Sequence, residues 1–263
     1  MRTFSHPGYK RFLLSVGCLL SIHFTALFFL TLFRLVFFFS ANYDFPDQEH
    51  VGFMSIWPAF IRGVWFDNVI ACYILLIPLV AVSISALFNY YGKILWNVTC
   101  IFFSLFYGIV LLVTAANIPY FQYFFKIINS SVFNWFGYMN TTAGMVFGET
   151  SYYPPLIGFL LTLVLFIWLM RRLIRHFQRL LNTKNPSVFW LDRIYIFLTA
   201  GICIGLCLFG IRGRTGYNPI KVSAAYYCTD PFLNQLGISP LFNLLSSTLD
   251  DSRKENRYLH RMP

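Results

Sequence analysis

The chain has 263 residues, of which 57% are hydrophobic, 20% aromatic and only 11% charged. A soluble domain of this length carries roughly a quarter charged residues, so the composition excludes an ordinary water-soluble fold and implies a multi-pass membrane protein. The net charge of +10 does not imply nucleic acid, because the basic residues sit mainly between apolar runs. In that position they face anionic lipid headgroups, and membrane phospholipids are the expected partners.

Arg2, Lys10 and Arg11 precede an uncharged run of 22 residues, Phe12 to Phe33. At about 1.5 Å per residue it spans the roughly 30 Å hydrocarbon layer, and it is too long for a signal-peptide core. It is expected to be a retained first span reaching Phe39, which places Arg34 near the outer interface. There the guanidinium either snorkels to headgroups or serves a polar site. Residues 41–66, with Asp44, Asp47, Glu49, His50, Trp57 and Trp65, read as an outer loop with an interfacial helix. Arg62 and Asp67 bracket the start of the second span, about 68–91, and are close enough in sequence to be expected to pair.

A tight turn at Asn89 to Lys93 leads into the third span, about 94–116, which Asn117 and Pro119 are expected to end. Residues 119–153 are too polar to cross and too aromatic for a free loop, and are expected to lie partly buried on the outer face. Pro154 and Pro155 open the fourth span, about 154–170. Beyond it Leu173, Ile174, Phe177, Leu180 and Leu181 form an apolar stripe opposite Arg171, Arg172, Arg175 and Arg179, so the helix is expected to continue along the inner surface until Asn182 to Pro186. The fifth span covers about 194–211.

With the N-terminus inside, ten Lys and Arg fall on inner segments and three, Arg34, Arg62 and Lys126, on outer ones before the last span. The bias gives five spans, N-terminus in and C-terminus out. Arg212, Arg214 and Lys221 lie outside against this trend.

Catalytic chemistry is sparse. Five of the six cysteines, Cys18, Cys72, Cys100, Cys203 and Cys207, lie in apolar runs, and with Cys228 they form no disulfide framework or zinc spacing. No HExxH or GxSxG occurs. Asp250, Asp251, Glu255 and His260 read as a solvated tail rather than a metal site. His23 is alone inside a span, where a packed, hydrogen-bonded ring competes with a proton-relay role. Asn97, Asn129 and Asn140 begin N-x-[ST] matches of the kind that arise by chance.

The outer border is more consistent. Arg34, Arg62, Asp67, Lys126, Arg212 and Arg214 all fall near it, and glycines flank Arg212 and Arg214. Guanidinium forks bind phosphate bidentately, and glycine lets backbone approach a ligand closely. Arg34, Arg62, Asp67, Arg212, Arg214 and Asn218 are therefore candidates for holding a lipid phosphate, the alternative being a set of interfacial anchors.

The exit stretch from Gly210 to Ser247, GIRGRTGYNPI followed by KVSAAYYCTDPFLNQLGISPLFNLLSS, resembles the end of the membrane domain of lipoteichoic-acid-synthase-like proteins, sulfatase-related phosphotransferases of bacteria. Arg62 to Asn68, RGVWFDN, is similar to the family's G-x-R-F-D element, with Trp65 where arginine is usual. Asn117-Ile118-Pro119-Tyr120-Phe121 is similar to its motif after the third span, without the usual acidic residue. The resemblance implies a bacterial inner (cytoplasmic) membrane protein. It also implies an extracytoplasmic catalytic domain with a threonine nucleophile and divalent metal, transferring phosphoglycerol or phosphoethanolamine-type groups. None of those residues has a counterpart here, so no catalytic residue is carried over and no cofactor is expected in this chain.

The expectation is thus an all-α polytopic membrane protein of five transmembrane helices, with interfacial helices on the outer face. Residues 1–211 would form the membrane domain and residues 212–263 an extracytoplasmic connector. In the connector Tyr217-Asn218-Pro219 breaks the fifth helix, and short helices follow over Ala224 to Leu236 and Pro240 to Leu249. The chain would be the anchor and lipid-facing platform of such a transferase, a truncated or split product inactive alone. Alternatives are an accessory scaffold recruiting a separately encoded sulfatase-like catalytic domain, or a small transporter.

Overall fold

A computed structural model describes residues 6–41, 53–138, 144, 148, 150–181 and 190–253. All regular structure among the described residues is helical. Five long helices dominate: α1 (Pro7–Ser40), α2 (Phe53–Leu87), α3 (Lys93–Phe124), α4 (Tyr153–Leu181) and α5 (Trp190–Arg212). Each is long and apolar enough to cross a membrane. Much of their apolar surface points outward, including Phe24, Phe28, Ile77, Leu161, Val164 and Phe197. A water-soluble protein does not expose so large an apolar surface, whereas lipid solvates it. This is a multi-pass membrane architecture.

The helices are longer than the apolar runs within them, and the differences have local causes. The interfacial helix expected before Asn68 is not separate, for α2 runs unbroken from Phe53 through Pro58. Pro58 stands near the helix start, so the carbonyl it leaves without a partner, that of Met54, is at an exposed end. Likewise Asn117 and Pro119 do not end α3. The Asn117 side chain is buried and accepts the Ile128 N–H at 3.0 Å, so it caps a returning segment instead of competing with its own helix. The helix stops at Phe125, which takes a left-handed φ of 52° and returns its N–H to Phe121 at 2.8 Å. The fourth helix does continue unbroken past Arg171 and Arg172, burying Ile174 and Leu181 of the expected stripe. At the end of α5 the break falls before Tyr217: Gly213, at φ 70°, closes the helix by donating to Phe209 at 3.1 Å. The expectations on residues 42–52, on Asn140 and Glu149, on Asn182 to Pro186 and on Glu255 and His260 lie outside the described residues.

Contacts divide the chain into two compact units. The first contains residues 1–28, 68–108 and 163–215. Phe12, Leu19, Trp96, Phe103, Tyr107 and Phe166 are fully or almost fully buried in it. Polar ties join its helices, among them His6 Nδ1 to Asp192 Oδ1 at 2.8 Å and the Arg11 guanidinium donating to the Leu181 carbonyl at 2.7 Å. Buried His23 places Nε2 3.0 Å from Asn68 Oδ1. That is the packed, hydrogen-bonded histidine of the two readings. The second unit contains residues 29–67, 109–162 and 216–263, and holds most of the residues singled out in the sequence.

Candidate functional site

The exit segment has strong local grammar. Asp230 precedes Pro231 and accepts the Leu233 N–H at 2.9 Å, an N-cap with proline in the first turn that starts α6 (Pro231–Leu236). Pro240 likewise stands in the first turn of α7 (Pro240–Ser252), although the Ser239 side chain before it makes no cap hydrogen bond. The helix expected over Ala224 to Leu236 is therefore two elements, a 3-10 turn at Val222–Ala225 and α6, divided by the extended residues that end in the Asp230 N-cap. Buried Asn234 pins that division. Its Oδ1 accepts from Tyr227 N at 2.9 Å and its Nδ2 donates to the Cys228 carbonyl at 2.7 Å.

These short helices are packed against the ends of the long ones. Phe232 lies 5.7 Å from Phe37 and 5.5 Å from Phe121, ring to ring, while Phe37 and Phe121 are 5.1 Å apart edge to face. Phe242 meets Phe66 at 4.9 Å. Rings in such arrangements contribute about 0.5–1.5 kcal/mol per pair beyond the burial of their area.

Arg34 ties the segment down electrostatically. Its guanidinium donates to Asp67 Oδ2 at 2.5 Å, to the Ile238 carbonyl at 3.1 Å and also to the Leu236 carbonyl. The side chains of Arg34 and Asp67 are only 5% and 3% exposed. Gly63 makes this possible, because a Cβ there would stand 2.1 Å from Arg34 Cζ. Gly63→Ala is expected to displace the guanidinium and destabilise the protein by about 1–3 kcal/mol, the usual cost of overpacking. A thermal melt in detergent checks this, and the same substitution in an Arg34→Ala background should be close to neutral.

Arg62 does not pair with Asp67. Five residues on a helix turn through about 500°, which leaves the two side chains about 140° apart. Arg62 instead lies 4.4 Å over the Tyr227 ring, and the Tyr227 hydroxyl donates to the Ser55 carbonyl at 2.6 Å. Burial, with Cys228 nearby, raises the phenol above its usual range, and the Arg62 charge partly opposes this.

Of the six candidate residues, the structure thus brings Arg34 and Asp67 together as an internal pair and sets Arg62 on the same unit as a half-buried cation. Arg212 and Arg214 belong to the first unit, on either side of the helix-ending Gly213, and both are exposed. Asn218 is exposed and belongs to the second unit.

Sequence reasoning missed a group of polar side chains, two amides and a hydroxyl. Gln235 Oε1 accepts the Ile127 N–H at 3.0 Å, Asn243 Nδ2 donates to the Ile128 carbonyl at 2.9 Å, and Ser247 Oγ accepts from Ser130 N at 2.9 Å. They sew residues 127–130 to the exit segment. Beside them opens a cleft of about 430 Å³, whose lining includes Asn129, Tyr226 and Thr229 and carries a single charge, Lys126. The signal available in the sequence was the pair of Asp-Pro and Ser-Pro helix starts, which fix where Asn234, Gln235 and Asn243 fall on their helices.

Among the described residues, no three His, Cys, Asp or Glu side chains gather as a metal site. The arrangement can hold a chain segment rigidly and offer cations to anionic groups. No family model, curated protein or solved structure matches the chain.

Proposed function

We propose that the chain is the membrane anchor and lipid-facing platform of a lipoteichoic-acid-synthase-like phosphotransferase in a bacterial cytoplasmic membrane, with its exit segment on the outer side. One observation carries this reading: residues from each of the three stretches that resemble the family meet within the second unit. Asp67 of the RGVWFDN element binds Arg34, which binds the Leu236 and Ile238 carbonyls of the exit stretch. Arg62 of the same element covers Tyr227, and Phe121 of the third stretch packs on Phe232. Segments far apart in sequence and independently similar to one family form one packed assembly, which suits a platform that holds its outer part in a set orientation.

In this reading Arg34 and Asp67 are the internal clamp, and Arg62, Arg212 and Arg214 offer charge to lipid phosphate. Charge-assisted contacts to phosphate contribute roughly 1.5–3 kcal/mol each. The purified protein is therefore expected to retain glycerophospholipid, and the pair Arg212→Ala, Arg214→Ala to reduce retained anionic lipid at least several-fold, with Arg62→Ala weaker because its ring contact also positions it. Lipid retained per protein, measured by native mass spectrometry, tests this. Retention unchanged in both the paired variant and Arg62→Ala would remove the lipid-phosphate role.

A further inference from the structure

The segment after α3 carries exposed apolar surface. Tyr123, Phe124 and Phe125 at the end of α3, and Phe133 and Trp135 in the 3-10 helix Ser130–Tyr138, are all exposed, Phe125 by 63%. Tyr120, Phe124 and Trp135 pack as tilted rings with centroids 4.8–5.7 Å apart, so the patch has a set shape. Phe125 is the sharper sign. It occupies a left-handed position that favours glycine, yet it bears a large ring turned largely outward. Its contact with Phe121, 6.2 Å between centroids, covers only part of that ring.

Two features identify what covers the patch. The first is alignment with the lipid-facing side of the span. Ile109, Leu112, Ala116 and Tyr123 are all exposed on α3 and, at about 100° per residue, fall within about 60° of one another. A buried turn, Asn117 to Phe121, interrupts that stripe, which resumes on the same side of α3 at Tyr123, beside the aromatic patch. The second is charge. From Tyr120 to Tyr138 the chain has Lys126 and no carboxylate, and Lys126 is exposed next to Phe125. Tyrosine and tryptophan favour the boundary between acyl chains and headgroups, and a lysine beside them reaches phosphate.

We infer that residues 123–135 are a membrane-interface foot: Phe124, Phe125, Phe133 and Trp135 insert among the headgroups and upper acyl chains where α3 leaves the bilayer, and Lys126 contacts lipid phosphate. The inference needs α3 to span the membrane and is independent of the phosphotransferase assignment. Depth-dependent quenching tests it in nanodiscs made with lipids brominated near the headgroup end or near the methyl end of the chains. The fluorescence difference between the native protein and Trp135→Phe isolates Trp135. That difference signal is expected to fall at least twofold more with shallow bromines than with deep ones. Phe125→Trp supplies a second reporter, expected to add a signal with the same depth profile. Quenching of both reporters by aqueous iodide without quenching by either lipid, stronger quenching by deep bromines, or no quenching by any of these agents would each overturn the inference.

Discussion

Asp67→Asn is expected to destabilise the protein by about 3–5 kcal/mol, because it leaves the Arg34 guanidinium buried without a counter-charge. The desolvation of the charge has already been incurred, so removing its partner forfeits the compensation while the cost remains. Arg34→Met should be comparably harmful, since it strands the Asp67 carboxylate and leaves the Leu236 and Ile238 carbonyls without their donor. The double variant Arg34→Met, Asp67→Leu should cost clearly less than the sum of the two, because no unpaired charge remains; the two carbonyls still lose a partner, so the cost does not vanish. Melting of all four proteins in the same detergent gives the coupling directly. If the two single effects simply add, Arg34 and Asp67 do not act as a buried pair.

Phe232→Ala is the second large effect. The ring is 1% exposed and lies among Phe37, Phe38 and Phe121. Truncating a buried phenylalanine to alanine costs roughly 3–5 kcal/mol through lost burial and the cavity left behind. Here the cost should fall on docking of the exit segment, because Phe232 is that segment's contribution to the cluster. Limited proteolysis is the decisive readout. The peptide bonds around Tyr217 and Asn218, which are exposed, should be cut in both proteins, whereas cleavage within residues 226–245 should increase at least tenfold in the variant. A segment acting as a loose tether would show fast cleavage in both and no change on substitution.

These two outcomes bear on a point where pattern reading and structure part company. Tyrosine, phenylalanine and leucine in the exit stretch, with its proline-initiated helices, imply surface-lying elements, and α7 starts at Pro240 as expected. The partner surface was not legible. Arg34 and Leu236 are 202 residues apart, and nothing in a stripe or a spacing indicates which carbonyls a distant guanidinium will reach. Arg62 and Asp67 show the opposite failure: they are near in sequence and the pairing inferred from nearness is wrong, because helical rotation sends them to different neighbours. Helix ends were misread for a related reason. Asn117 and Pro119 act as breakers in isolation, yet with a buried partner such as the Ile128 N–H for Asn117 the helix continues past them.

What the sequence by itself determined is the membrane class and the number of long apolar helices, because composition and run length are sums that need no partner. It also determined the start of α7 at Pro240, since a first-turn proline acts within a few residues. Only the tertiary structure decided that Asp67 belongs to Arg34, that Gly63 is the space the guanidinium crosses, and that amides at 234, 235 and 243 bind the chain around them. Those choices depend on which surfaces meet once the helices pack, and a buried charge or amide accepts whatever partner that packing delivers to it.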